Sequence, residues 1–285
     1  MRAKQYASEL VKCMFHGAAW PLVDGEPFEV SLHTSNPEND AGEILEKTEI
    51  DYPGYRRIEI PRSPTHWNIA AELGRFIAVN LQDIAFPPVA RENGDLRKFQ
   101  YRFMVLRGAK SGLPVRISES EKPINIDADH PPLIAKGDYK PSNEGRLESV
   151  MWKRRILEYE FLSQPIPLQV DEDFEFALYA NDPQDKDGNI IGKETDYPGY
   201  KRITATRNDK EWKRHGGEVV SARRVAFPGP HEELARGKSW TVRWRAIIGK
   251  KSGFPVRVSR LDDAFVFKNG IRMAIPAGEH RISEE

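Results

Sequence analysis

The sequence predicts a mainly β protein made of two tandem homologous antiparallel β-sandwich-like domains, each preceded by a short α-helix. Three observations lead to this class: a motif that occurs twice, short apolar runs separated by turn residues, and alternation of apolar and polar positions within those runs. The motif reads EIDYPGYRRIEI at 49–60 and ETDYPGYKRITA at 194–205. A chain of 285 residues can hold two domains of ordinary size, each with its own core.

The repeat extends along most of the chain. FEVSLHTSNP at 28–37 matches FEFALYANDP at 174–183 with an offset of 146. Further on, SGLPVRIS at 111–118 matches SGFPVRVS at 252–259 with an offset of 141. An offset that changes so little indicates one ancestral unit with small loop insertions or deletions. We therefore expect an internal duplication.

Helical patterning is confined to the entry of each unit. SELVKCMF at 8–15 has helical spacing of its apolar residues, with Ser8 as the expected N-cap. SVMWKRRILEYEF at 149–161 holds the same place before the second unit. We therefore expect a first domain at 1–147 and a second at 148–285.

Alternation within the apolar runs predicts strands. In TVRWRAII at 241–248, every second residue is apolar, and one apolar face suits an antiparallel sheet packed on a second sheet. The positions expected to share that face are Val242, Trp244, Ala246 and Ile248.

The repeated YPGY motif predicts a turn. Proline fixes φ for the second turn position, and glycine accepts positive φ at the third. Strands are then expected to start at Tyr55 and Tyr200. Alternation places Arg57 and Arg202 on the same face as these tyrosines.

Arg57 is expected to lie partly buried, with its guanidinium paired to a carboxylate such as Glu43 or Glu49. This role is structural, so Arg57→Ala should lower the melting temperature.

Composition excludes several classes of protein. The chain has 43 basic and 43 acidic residues, so nucleic acid is not an expected partner. Cys13 is the only cysteine, which excludes an intrachain disulfide and a cysteine-based zinc site. No apolar run approaches the ~20 residues that cross a bilayer, and the N-terminus lacks the apolar core of a signal peptide. We expect a soluble protein made in the cytoplasm, with no membrane partner.

The order of these motifs resembles a signature of structural proteins of tailed bacteriophages. In that family a short helix precedes a strand ending in LHTADPG, followed by a glycine, by GYAR with an aliphatic residue, and by an FP segment. In the second half YAND replaces the HTAD of the signature. The matching positions are Pro37, Gly42, Gly54, Tyr55, Arg57 and Phe86 in the first half, and Pro183, Gly188, Gly199, Tyr200, Arg202 and Phe227 in the second.

The resemblance implies a virion component with no enzymatic activity and no cofactor. Its partners would be other virion proteins of the capsid, collar, portal or tail, and the chain would be homo-oligomeric in the virion. A duplicated unit can occupy two quasi-equivalent positions, which suits capsid decoration, a collar or tail attachment. Capsid and tail locations both stay open, as does the supply of a last strand of the second domain by another chain.

A glycan-binding host-receptor module of a phage tail is the alternative. Exposed aromatic rings stack on sugars, and the candidates are Trp67, Trp212 and Trp240.

Three segments resemble known ligand-binding motifs. NDPQDKDGNIIGKE at 181–194 spaces carboxylates like a calcium loop, but Pro183 holds the first ligand position, so a solvated hairpin loop is favoured. RGKSW at 236–240 and GKKSG at 249–253 resemble part of a phosphate-binding loop, but Glu232 stands where RGKSW would need the first glycine. We expect no metal, cofactor or catalytic residue.

Overall fold

The structure is a computed structural model that describes residues 4–72, 75–91, 97–142, 150–215, 218–231, 233, 236–268, 271–279 and 281–283. A short 3-10 helix occupies Glu46–Thr48. The helices and strands, in chain order, are α1 (Lys4–His16), β1 (Phe28–His33), β2 (Ile58–Ile60), β3 (Trp67–Glu72), β4 (Arg75–Asn80), β5 (Ile84–Ala85), β6 (Phe99–Gly108), β7 (Pro114–Ile126), β8 (Leu133–Ile134), α2 (Val150–Leu162), β9 (Phe174–Tyr179), β10 (Ile203–Ala205), β11 (Trp212–His215), β12 (Glu218–Ser221), β13 (Val225–Ala226), β14 (Trp240–Gly249), β15 (Pro255–Phe267), β16 (Ala274–Ile275) and β17 (Arg281–Ser283).

Each half contains one four-stranded antiparallel sheet. The strand order is β2-β1-β6-β7 in the first half and β10-β9-β14-β15 in the second, so aligned strands hold the same positions. The mainly β, antiparallel class is therefore confirmed. Tandem duplication stays a prediction from the sequence.

Smaller ladders cover the inner face of each sheet. The β3–β4 hairpin packs on the first sheet through Trp67 and Phe28, whose ring centroids are 6.1 Å apart. The β11–β12 hairpin packs on the second sheet through Trp212 and Phe174 at 5.8 Å. β17 pairs with β12, so this ladder is extended from within the same chain.

The YPGY motif forms a tight turn, as predicted. The Tyr55 N–H donates to the Tyr52 carbonyl at 2.8 Å, and Gly54 has φ +90°, a conformation that a side chain would strain. The predicted strand starts were wrong, because β2 and β10 each begin three residues later. The Leu32 N–H of β1 donates to the Tyr55 hydroxyl at 3.0 Å, so a side chain takes the place of a ladder bond there.

A β-bulge interrupts the alternation predicted for 241–248. The register of β14 against β15 shifts between Val242 and Trp244. Val242 and Ile247 lie in the main core, whereas Ala246 and Ile248 belong to a separate small apolar cluster. The prediction that Val242 and Ile248 share one face was wrong, because the bulge adds an unpaired residue and turns the strand.

The C-terminal end of α1 lies against the second half of the chain. The Phe15 ring packs on Phe174 and Trp212, with centroids 5.5 and 4.8 Å apart. Buried Arg207 lies over the Phe174 ring and donates to two carbonyl oxygens in the last turn of α1. These carbonyls have no partner within the helix, so the arginine caps it from the other half.

The C-terminal end of α2 makes the equivalent contacts with the first half. The Phe161 ring packs on Phe28 and Trp67, with centroids 5.3 and 4.7 Å apart. Buried Arg62 donates to two carbonyl oxygens in the last turn of α2. Each contact joins residues that the sequence repeat aligns with those of α1, so the two helices are exchanged reciprocally between the halves.

Each helix also contacts its own half of the chain, α1 the first half and α2 the second. The two halves therefore pack together as one body. The Lys4 N–H donates to Glu38 at 2.7 Å, and the Trp152 ring lies 5.6 Å from Phe254. One continuous apolar core contains residues of both helices and both sheets. Ser8 lies a full turn inside α1, so its predicted N-cap role was wrong. None of the helices in the described part of the chain is long and apolar enough to cross a membrane.

Candidate functional site

The signature residues of the first half form a hydrogen-bonded cluster beside β1 and β2. The Tyr55 hydroxyl donates to Glu49 at 2.8 Å while it accepts the N–H of β1 described above. The Arg57 Nε donates to both Glu49 oxygens at 2.8 and 3.1 Å. A turn residue, a strand-entry cation and a loop carboxylate are thereby joined into one unit.

Further carboxylates surround the same guanidinium. The Arg57 Nη1 donates to Glu29 at 3.0 Å, and the Nη2 pairs with Glu46. The predicted pairing of Arg57 with Glu49 is confirmed, whereas the alternative partner Glu43 was wrong. The Asn39 amide donates to Glu43 at 2.9 Å, which keeps that carboxylate in its own loop.

The second half repeats this arrangement. The Leu178 N–H donates to the Tyr200 hydroxyl at 3.1 Å, and that hydroxyl donates to Glu194. The Arg202 Nε donates to Glu194 at 3.1 and 3.0 Å, and its Nη1 to Glu175 at 3.0 Å. The repeated motif therefore specifies a structural cluster in each half.

The electrostatics of the cluster do not favour acid–base chemistry near neutral pH. Burial alone would raise the pKa of Glu49, but hydrogen bonds from Arg57 and Tyr55 outweigh it and lower that pKa to about 2. Burial raises the pKa of Tyr55 well above its usual range. A carboxylate that stays ionised and a phenol that stays protonated are poor proton carriers at pH 7.

The FP segment closes the cluster from the other side. Phe86 stacks on Tyr55 with ring centroids 6.4 Å apart, and Phe227 stacks on Tyr200 at 6.4 Å. The first tyrosine of each YPGY motif donates to the backbone carbonyl that follows this phenylalanine, at 2.7 Å in both halves. Turn, strand and FP segment are therefore held together by the residues that define the signature.

The remaining signature positions close a loop in each half. The Pro37 carbonyl accepts the Leu45 N–H at 2.7 Å, and the Pro183 carbonyl accepts two N–H groups at 2.9 Å. Gly42 and Gly188 have φ +85° and +84°. These residues fix the path of the chain and present no reactive group.

The loop at 181–194, which resembles a calcium-binding loop, is closed by hydrogen bonds within the loop. The Asp185 carboxylate accepts the N–H groups of Asp187 and Asn189 at 2.9 and 2.8 Å. Glu194 is bound by Arg202, as described above. Among the residues that the structure describes, no group of histidines, cysteines and carboxylates could hold a metal ion. The hairpin-loop interpretation therefore accounts for these side chains.

Two buried glutamates were missed by sequence reasoning. The carboxylate of Glu172 is fully buried and accepts the N–H groups of Lys251 and Ser252 at 2.8 and 2.9 Å. Glu26 binds the aligned turn in the first half, through the N–H groups of Lys110 and Ser111 at 2.8 and 2.9 Å.

The GKKSG turn therefore does bind an anion, but that anion is a side chain of the same chain. The only signal in the sequence was that both halves carry a glutamate two residues before the first phenylalanine of their first strand.

Two of the three tryptophans predicted to contact a partner are buried. Trp67 and Trp212 are each 1% exposed and form the pockets that receive the exchanged helices. The prediction that they stack on a ligand was wrong, because a ring inside the core cannot reach a sugar. Trp240 is half-buried, with its ring 6.2 Å from Tyr197.

A cavity of about 470 Å³ opens beside the outer edge of β2. β4 and β5 supply its opposite wall, so it lies between the edge of the main sheet and the smaller ladders. Its polar and charged lining includes Arg56, Glu59, His66, Gln82 and Asp83. Sequence reasoning did not single out this site, since its lining comes from three separated segments.

No protein-family model matches this chain, and no curated protein matches it either.

Proposed function

We propose that this chain is a non-enzymatic structural component of a tailed-bacteriophage virion. It would dock on other virion proteins as a capsid-decoration, collar or tail-attachment piece, in more than one copy per particle. The proposal starts from the resemblance of the ordered motif set, which occurs in both halves. The geometry adds that every residue of the set is used to hold the fold.

The observation that carries the proposal is the reciprocal exchange of α1 and α2. Each helix fills a pocket in the other half with an aligned phenylalanine, and an aligned arginine caps its last turn. Such an isologous arrangement fixes the halves relative to each other, so that one rigid body carries two copies of the same backbone framework. That is the property required of a piece that occupies two quasi-equivalent positions in a symmetric shell.

The burial of Trp67 and Trp212 weakens the glycan-binding alternative. A receptor module needs exposed rings on a concave surface, and these two rings are committed to the core. Trp240 alone remains of the three candidates.

Quantitative mass spectrometry of purified phage particles, with cross-linking, tests the proposal. We expect the chain in several copies per particle, cross-linked to capsid, collar, portal or tail proteins. A high copy number with links to the major capsid protein would identify a decoration protein. A small multiple of three, five or six with links to the portal or tail would identify a collar or tail component. Absence from washed particles would refute the proposal.

A further inference from the structure

We propose that the cavity beside β2 binds an arginine side chain supplied by another protein. The inference deepens the proposed function, on which it rests for the identity of that protein as a virion component. The binding of the guanidinium itself follows from comparison with the second half of the same chain.

In the second half an arginine of the chain itself occupies the corresponding place. The Arg223 guanidinium forms an ion pair with Glu211 and donates to the Thr204 carbonyl, on the outer edge of β10, at 3.3 Å. The guanidinium therefore crosses the space between the edge of the main sheet and the start of β13. It satisfies a carbonyl that the sheet leaves unpaired on that edge.

The first half has the same backbone at this place but lacks the guanidinium. The repeat aligns Gln82 with Arg223, His66 with Glu211, and Glu59 with Thr204. The register of β1 against β2 matches that of β9 against β10, so the Glu59 carbonyl has the same orientation as its counterpart. Gln82 donates to the Thr65 carbonyl at 3.2 Å and carries no positive charge. The space is left as the cavity.

The lining of the cavity in the first half is more acidic than the aligned place in the second half, which favours the binding of a cation. Exposed carboxylates now stand at Glu59 and Asp83, where the second half has Thr204 and Arg224. Asp83 is held in place by the Lys136 N–H, which donates to one of its oxygens at 2.8 Å. A guanidinium entering the cavity would find two carboxylates and an edge carbonyl, a set of acceptors that suits its fixed fork of donors.

The two arginines of the lining do not oppose the binding of a cation. Arg57 is neutralised by Glu29, Glu46 and Glu49. Arg56 is exposed and aligns with Lys201, which is also exposed and coexists with the guanidinium in the second half.

The test is a titration of the purified full chain with N-acetyl-arginine amide, followed by backbone amide shifts in NMR spectra. We expect saturable shifts at residues around the cavity, with a dissociation constant on the order of 1 mM for so small a probe. N-acetyl-citrulline amide has the same shape without the charge and should bind at least tenfold more weakly. Absence of saturable shifts with the arginine probe would refute the proposal.

The second half supplies the matched control. In the double variant H66E/Q82R the first half regains the ion pair of the second, so the cavity should be filled from within and the probe should no longer bind. The single variant Glu59→Thr retains the cavity and should weaken binding severalfold; it also serves if the double variant does not fold. Binding that is unchanged in either folded variant would place the probe elsewhere and overturn the proposal.

Particle incorporation separates this inference from the proposed function. If H66E/Q82R chains fold but are lost from particles while wild-type chains are retained, the cavity serves docking. If both are incorporated equally, the proposal of a partner arginine fails and the structural function stands. If the wild-type chain is absent from particles, the proposed function fails and the titration alone decides the cavity.

Discussion

The outer faces of the two main sheets have the same backbone and opposite chemistry. In the first half this face is polar although it is buried. Ser31 Oγ lies 2.9 Å from His33 Nε2, and His33 Nδ1 lies 2.9 Å from Thr48 Oγ1. Arg107 pairs with Glu46 at 2.9 Å on the same face.

In the second half the aligned positions are apolar. Ala177, Tyr179 and Ile248 replace Ser31, His33 and Arg107, and together with Ala246 they form a buried cluster separate from the main core. The aligned positions therefore differ between the halves as a set, polar in one and apolar in the other. A mixed set would leave a buried polar group without a partner. The inner face and the YPGY cluster are the same in both halves, and they specify the fold; the outer face is free to differ.

The largest effect is expected from breaking what the halves share, the helix exchange. Phe161→Ala should destabilise the protein by about 3–5 kcal/mol, because it empties a pocket lined by the aromatic rings of Phe28 and Trp67. Phe15→Ala should cost a similar amount, since its pocket has the same geometry. Thermal unfolding measures both. Ile191→Ala is the control, since Ile191 is 72% exposed and its loss should cost less than about 0.5 kcal/mol.

Hydrogen exchange locates the damage of these variants. Phe161→Ala should speed exchange in β3, which lies in the first half, although the substitution is in the helix that precedes the second. Loosening confined to the second half would contradict the exchange of helices.

The buried glutamates give the next largest effect. Glu26→Gln and Glu172→Gln should each cost about 2–3 kcal/mol, because a neutral amide cannot accept all the hydrogen bonds that the carboxylate receives from the hairpin turn. Denaturant unfolding measures the loss, and exposed Glu279→Gln is the control. A Cβ at Gly108 would lie 2.6 Å from Glu26, so Gly108→Ala should reproduce the defect without touching the charge. A stable Glu172→Gln variant would show that the turn holds without its anion.

The repeat made much of this architecture predictable. The alternation of apolar and polar residues and the turn residues between strands predicted the mainly β class, and the YPGY motif predicted the turn. Each of these signals depends on local conformational preferences. The pairing of Arg57 with Glu49 was predictable from the side of the strand on which Arg57 lies and from the opposite charges of the two side chains. The exchange of Phe15 and Phe161 did not follow, since a helix that can fill an identical pocket in either half carries no sequence signal for the choice. The bulge after Val242 had no signal in the sequence either. Because of it, Ile248 lies on the opposite face of the sheet from Val242.

Replacing the polar residues of the outer face by those of the second half tests whether they act as a set. Arg107→Ile alone should cost about 1–2 kcal/mol, because buried Ser31 loses a hydrogen-bond partner and exposed Glu46 loses an ion pair. The triple variant S31A/H33Y/R107I installs the residues of the second half and should recover most of that loss. The measurement is the free energy of unfolding of the single and triple variants. A triple variant less stable than the single one would show that the surrounding loops, and not the set alone, decide which chemistry is tolerated.

The smallest effect is a pH dependence that only the first half should show. Burial lowers the pKa of His33 from 6.5 to about 4, while Glu49 and Glu46 oppose this change and Arg107 and Arg57 add to it. Between pH 6.5 and 4 the unfolded chain therefore binds a proton that the folded chain does not, and stability falls as the pH is lowered through this range. The loss should reach about 1 kcal/mol at pH 5.5.

His33→Tyr installs the residue found at the aligned position of the second half and should remove that slope. The acid response of Glu49, whose pKa is lowered from 4.5 to about 2, should remain, because its contribution to stability is lost only as the pH falls below about 4.5. Unfolding free energies at pH 7, 5.5 and 4.5 separate the two groups. An unchanged slope in His33→Tyr would mean that another group titrates in this range, and that the polar face is insensitive to pH although a histidine lies at its centre.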